Sequence, residues 1–100
     1  MRSWLLRDFD SSDLDQAVRV WTASPGAAPL FGIAEVIEAL MAGAPAVVAV
    51  ADTRLIGMCA ARVTGERAWV LRIAIDADWR GVGVGSALLG ALEEIGRAHV

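Results

Sequence analysis

Apolar positions along this chain fall into two patterns, helical in the first half and strand-like in the second. Residues 3–8 (Ser-Trp-Leu-Leu-Arg-Asp) read as a short strand. Asp10, Ser11 and Ser12 cluster next, and Asp15 stands three residues after Ser12, a capping-box spacing that marks a helix start. Leu14, Ala17, Val18 and Trp21 then recur at i, i+3, i+4 and i+7, one face of a helix. Ala23–Leu30 contains Pro25 and Pro29 and reads as a loop. Ile33, Val36, Ile37, Leu40 and Met41 repeat the helical spacing, and Gly43 is placed to cap that second helix.

The texture then changes. Ala46–Ala51 is a short apolar run, Asp52-Thr53-Arg54 a polar turn, and Leu55–Val63 a second run. Thr64-Gly65-Glu66-Arg67 is another turn before a third run, Ala68–Ile75. Three short runs joined by two tight turns predict an antiparallel meander. Ala68–Ile75 is almost continuously apolar, so both of its faces are expected to be covered. A last helix, about Val84 to Glu94, carries Val84, Leu88 and Leu92 on one side. The predicted order is β-α-α-β-β-β-α, an α/β (α+β) fold with a mainly antiparallel sheet.

Composition narrows the function. One hundred residues, 56% of them hydrophobic, make one small domain with a real core. The net charge of −3 argues against nucleic-acid binding, which needs clustered positive charge. No apolar run has the ~20 residues that span a bilayer, and Met1–Asp10 lacks a signal-peptide core. The single cysteine, Cys59, forms neither an internal disulfide nor a cysteine-based metal site. These features point to a cytoplasmic protein with no membrane segment.

The stretch with chemistry in it runs Ile73-Ala74-Ile75-Asp76-Ala77-Asp78-Trp79-Arg80-Gly81-Val82-Gly83-Val84-Gly85-Ser86. A buried strand ends, a turn follows, and glycines lead into a helix. Glycine lets the backbone approach a ligand and take left-handed conformations. Amides at a helix start lack intrahelical partners, and the helix dipole favours an anion there. Arg80 adds a permanent positive charge that forks onto phosphate oxygens. Together they predict a pyrophosphate site. A dinucleotide fingerprint fails, because the third glycine position falls on Ser86 or Leu88. A phosphate-binding P-loop fails because the chain has no lysine.

The arrangement resembles the GNAT (GCN5-related) N-acetyltransferase family. That family's cofactor signature is Arg/Gln-x-x-Gly-x-Gly/Ala, filled here by Arg80, Gly83 and Gly85. Ile73-Ala74-Ile75-Asp76 looks like the end of the family's fourth strand, and the preceding order of elements also matches. The resemblance implies acetyl-CoA as cosubstrate. Amides from Gly81 to Ser86 (Gly81, Val82, Gly83, Val84, Gly85, Ser86) would hold the pyrophosphate beside Arg80. Backbone groups of Ile73 and Ile75 would pair with the pantetheine arm as if it were another strand, with Ala74 between them in the cofactor-binding stretch. It implies transfer of acetyl to a primary amine of a small molecule or protein.

The family fold continues after this helix with a fifth strand, which walls the pantetheine cleft, and with a tyrosine that usually protonates the leaving thiolate. This chain ends at Val100 and contains no tyrosine. It is expected to be a partial domain over 1–94, incomplete for catalysis as given. The last residues, Glu94-Ile95-Gly96-Arg97-Ala98-His99-Val100, can be translated from a common sequencing-library adapter. Residues 95–100 are therefore expected to be a non-native tail. Without a fifth strand, the run 68–75 would present an unpaired apolar edge and is expected to self-associate.

Other candidates have plainer readings. Glu35 and Glu38 are weak candidates for the base that deprotonates the amine, and otherwise a solvated helix face. His99 sits at the terminus, and Glu66 is a turn residue. Cys59 is a core residue. Trp21 completes the apolar stripe of the first helix. Trp79 either shields the phosphate turn or packs on the last helix. Asp76 and Asp78 shape the turn and make no metal site by themselves. A non-catalytic acyl-CoA-binding module is the alternative to a transferase, and a ligand-free structural protein a third possibility.

Overall fold

The computed structural model describes residues 3–23, 32–65 and 67–98. Four strands, β1 (Leu5–Asp8), β2 (Ala46–Ala51), β3 (Arg54–Thr64) and β4 (Arg67–Ile75), form one antiparallel sheet in the order β1-β2-β3-β4. Three helices cover it: α1 (Leu14–Ala23), α2 (Ile33–Met41) and α3 (Val84–Ala98). The α/β class and the order of elements agree with the sequence reading. Among the described residues, no helix is long and apolar enough to cross a membrane and no metal-binding cluster occurs. The expected loop Ala23–Leu30 has only Ala23 among the described residues, at the end of α1; Glu66 and His99 lie outside them.

The helix start lies earlier than the sequence reading put it. Asp10, not Ser12, is the cap: it accepts from the Ser12 N–H at 3.0 Å, and Asp13, not Asp15, closes the box by accepting from the Asp10 N–H at 2.9 Å. A single 3-10 turn, Ser11–Asp13, therefore precedes α1. Asp13 also takes two bonds from Arg7, at 2.7 and 2.8 Å, tying β1 to the helix start. Those bonds, opposed by partial burial, hold the Asp13 carboxyl below the usual carboxylate range. The buried face of α1 is Ala17, Val20 and Trp21, with Val18 only half-buried.

The second helix behaves as its pattern predicts at the centre, where Val36 and Leu40 are buried, while Ile33 and Met41 at its ends stay exposed. Gly43, at φ 89, ends it just past the Ala42 cap. The Gly43 N–H donates to Leu40 O and the Ala44 N–H to Ala39 O, which satisfies carbonyls the helix end would orphan. The third helix runs four residues beyond Glu94, and Ile95 packs against the cluster beneath it.

Strand alternation sends side chains to two separate cores. Val48, Leu55, Met58, Ala60, Leu71 and Ala74 face α1 and α2, while Val47, Ala49, Ile56, Cys59 and Ala61 face α3 with Val84, Leu88 and Leu92. Two bulges interrupt the ladder, between Ala49 and Val50 on β2 and between Ala60 and Ala61 on β3 as paired to β4. The first sets Ile56 and Gly57 on the α3 side together. A Cβ at Gly57 would lie 3.2 Å from both Leu88 Cδ1 and Val84 Cγ1, so the missing side chain lets α3 settle onto the sheet. The expectation that β4 is covered on both faces holds only in part. Leu71 and Ala74 are buried, but Val70 is 47% exposed and Ile73 and Ile75 are half-buried. As the last strand of the sheet, β4 has one paired edge and one open edge.

Candidate functional site

The open edge of β4 leads directly into the glycine turn. The Asp76 N–H donates to Ile56 O at 2.8 Å, which makes Asp76 face β3. Because antiparallel pairs alternate, the N–H and C=O groups of Ile75 and Ile73 point away from β3, to the open edge, and Ala74 points inward. Two outward amide units two residues apart are what a strand-like ligand needs for pairing.

The chain then turns through a short 3-10 helix, Ala77–Trp79. Asp76 caps it by accepting from the Asp78 N–H at 3.0 Å. The same carboxylate meets Arg54 at 3.3 Å and Arg19 at 3.8 Å. The Asp78 amide first, and Arg54 next, hold its pKa below the usual range against partial burial. Arg19 also donates to Leu55 O, and Gln16 accepts from the Leu55 N–H, both at 2.9 Å. The turn is thus anchored to β3 and α1 at once, and Asp76 shapes it as the sequence reading expected.

Past the exposed Arg80, Gly81 takes φ 77 and Gly83 φ 90, a left-handed region that side chains rarely adopt. No atom lies within 4 Å of where a Cβ would stand on either, so the space over both glycines is open. The first intrahelical bond of α3 runs from the Ala87 N–H to Gly83 O at 3.1 Å. The amides of Val84, Gly85 and Ser86 precede it and have no helical acceptor. Gly85 sits against the end of β4: a Cβ there would stand 2.9 Å from Ile75 Cδ1. The helix start and the outward amides of β4 are therefore neighbours. Backbone donors, open space over two glycines and a cationic side chain together suit a phosphate group.

The structure gathers Ile73, Ile75, Arg80, Gly81, Val82, Gly83, Val84, Gly85 and Ser86 into one continuous strip. Val84 contributes its amide only, since its side chain is buried beneath α3. Trp79 packs against the α3-side cluster. Glu35 and Glu38 are elsewhere. They line a groove of about 460 Å³ with Ala39, Pro45, Arg62 and Val63. Arg62 pairs with Trp69, six residues back along β4 from Ile75, which is roughly 20 Å of strand. Cys59 is fully buried, and burial pushes its thiol up to about 12, so it is no nucleophile.

Sequence reasoning passed over two side chains at this end of the fold. Arg72 lies in β4 with its guanidinium carbon 5.3 Å from the centre of the Trp21 ring. The signal was a single charge inside an otherwise apolar run. Arg19 was the other, and no periodicity marks it, because its acceptor is a backbone carbonyl 36 residues away.

Residues 1–99 match the acetyltransferase (GNAT) family. No curated protein matches the chain in sequence. Among solved structures, a GNAT family acetyltransferase from Brucella melitensis in complex with acetyl-CoA superposes with a TM-score of 0.82 at 19% identity, covering 99% of this chain and 71% of that one. The ribosomal-protein-S18-alanine N-acetyltransferase of Escherichia coli gives 0.78 at 19% identity, covering 97% and 61%. The PaiA N-acetyltransferase of Thermoplasma acidophilum, in complex with coenzyme A, gives 0.74 at 18% identity, covering 97% and 74%. The chain thus spans less than two thirds of the Escherichia coli enzyme.

Proposed function

The chain belongs to the acetyltransferase (GNAT) family, and from that premise we propose that it holds acetyl-CoA along β4 and the start of α3 for transfer of acetyl to a primary amine. The observation that carries the reading is the continuity of the strip: outward amides at Ile73 and Ile75, then Gly81 and Gly83 in open space, then the unpaired amides of Val84, Gly85 and Ser86. The pyrophosphate takes the glycine turn and helix start beside Arg80, and the pantetheine arm adds to the sheet at Ile73–Ile75. That two structural neighbours were solved with acetyl-CoA and coenzyme A supports the choice of ligand.

Transfer joins the amine nitrogen to the thioester carbonyl carbon and breaks the carbon–sulfur bond. The amine loses one proton, and the departing thiolate takes one up. The role of this chain is binding and orientation, which contribute most where no covalent enzyme intermediate is needed. The proton acceptor and donor stay unassigned, since Glu35 and Glu38 lie in the groove at the far end of the sheet. The reading takes the protein to be cytoplasmic and the acceptor to be carried by a small molecule or a protein.

Titration calorimetry with coenzyme A tests the reading. Wild type should bind, and Gly83→Val should lose binding by at least about tenfold, because the branched side chain disfavours φ 90 and fills the space over the turn. Equal affinity in wild type and Gly83→Val would overturn the phosphate assignment. Binding without transfer to any amine would favour the non-catalytic acyl-CoA-binding module.

A further inference from the structure

Arg72 is a charge in an apolar setting, and its buried Nε has no hydrogen-bond partner. The β3–β4 bulge puts Leu71 and Arg72 on the same side of the strand, the side covered by α1 and α2. Leu71, Ala74, Ala60 and Trp21 belong to the core on that side. The guanidinium stacks on the Trp21 ring, and its Nε is closed to solvent with no hydrogen-bond acceptor. Among the described residues its guanidinium is in none of the ion pairs Arg7–Asp13, Arg19–Asp76 and Arg54–Asp76.

A guanidinium offers five N–H donors and no acceptor, and a charge taken out of water is costly unless it is paired. A ring face offsets part of the desolvation, and the remainder calls for an anion. Of the residues outside the described segments, only Glu66 carries a side-chain carboxylate, six positions before Arg72 in sequence. The segment 24–31, which joins α1 to α2, contains neither Asp nor Glu.

We propose that Arg72 is a specificity residue that receives the carboxylate of the acceptor, so that the acceptor is an amine that also carries a carboxylate. The proposal rests on the acetyltransferase reading for the identity of the reacting groups. Under that reading the acyl-pantetheine arm runs along the outer edge of β4 at Ile73, the residue next to Arg72. Arg72 stands on the α1–α2 face of β4, opposite the α3 face and one residue from that edge position. Arg72 keeps partial exposure, which leaves a small ligand a route to the guanidinium. A carboxylate there supplies the planar fork that guanidinium nitrogens match best, and it would give Nε the acceptor it lacks.

The test reads Arg72 itself. In the ¹⁵N-labelled full chain, the Nε–H signal of Arg72 is identified by its loss in Arg72→Lys. Glycine and γ-aminobutyrate are then titrated beside glycinamide and n-butylamine, which keep the amine and lack the carboxylate. The expected result is a saturable shift of the Arg72 Nε–H with both amino acids, at least about tenfold weaker binding of the two amines, and loss of the preference in Arg72→Gln. The proposal is overturned if the four ligands bind alike, if Arg72→Gln keeps the preference, or if no amino acid moves the signal. Should both variants fold poorly, through-space contacts between the Arg72 Nε–H and the Trp21 ring protons identify the signal in wild type. Coenzyme A added to the same sample, read at the Val84–Ser86 amides, tests the acetyltransferase reading separately. Failure there with an intact Arg72 response removes the reading and leaves the carboxylate site. Failure at Arg72 with an intact coenzyme A response does the reverse.

Discussion

Replacing Asp13 by alanine should cost the fold about 2 kcal/mol. The Asp13 side chain is only 6% exposed and receives three hydrogen bonds, two from Arg7 and one from the Asp10 amide. Buried bonds to a charged acceptor contribute ~1.5–3 kcal/mol each, but Arg7 is 44% exposed and solvent screens its share. Counting the Arg7 pair as a partly screened salt bridge at about 1 kcal/mol and the cap at about 1 kcal/mol gives the total. For a domain of this size that is a fall in Tm of roughly 10 °C. The pH dependence has a definite sign. Arg7 lowers the folded-state pKa of Asp13, so the stabilisation is complete above the ordinary carboxylate value of about 4. It is lost as pH falls through the depressed value. Urea melts of wild type and Asp13→Ala at several pH values should show a gap near 2 kcal/mol at neutral pH that narrows below about pH 4. A neutral-pH gap under about 0.5 kcal/mol, or one that stays constant into acid, would refute this account of the β1–α1 junction.

Two further outcomes concern the α3 side of the sheet. Gly57→Val should destabilise by about 1–3 kcal/mol, because even a bare Cβ already meets Leu88 and Val84 at 3.2 Å; an unchanged thermal melt would show that α3 can shift outward freely. Cys59 should resist a disulfide reagent at neutral pH until the protein unfolds, since its thiol is fully buried and pushed up to about 12. Rapid labelling of the folded chain would contradict the packing of the second core.

Strand positions were legible because burial on two faces leaves long apolar runs. Ala46–Ala51 coincides with β2 from end to end, and β3 and β4 exceed their runs by a residue or so. The glycine turn was legible too, since Gly81 and Gly83 do take left-handed φ. Local competition was harder to read. Asp10, Ser11, Ser12 and Asp13 all suit a helix start, and the choice fell to Asp10 and Asp13 because Arg7 of β1 reaches Asp13. Val20 shares the buried face of α1 with Ala17, three residues before it, and Trp21, while Val18 is only half-buried. The exposure of Val70 and the facing of Arg72 follow from a bulge, which inserts one residue without leaving a mark in an apolar run. Contacts from α1 to the backbone of Leu55 depend on sheet assembly and have no local signature.

The order of strands in the sheet is also the order in which the ribosome delivers them, and this bears on how the fold is reached. Thr64 and Arg67 pair across a two-residue turn, and Ala51 and Arg54 across another, so β2, β3 and β4 can zip by closing very short loops. Leu5 must wait for Val50, at the cost of closing the whole α1–α2 region. The meander is therefore the natural folding nucleus, with β1 docking late, and the strip that leads into α3 grows from the part of the sheet that forms first.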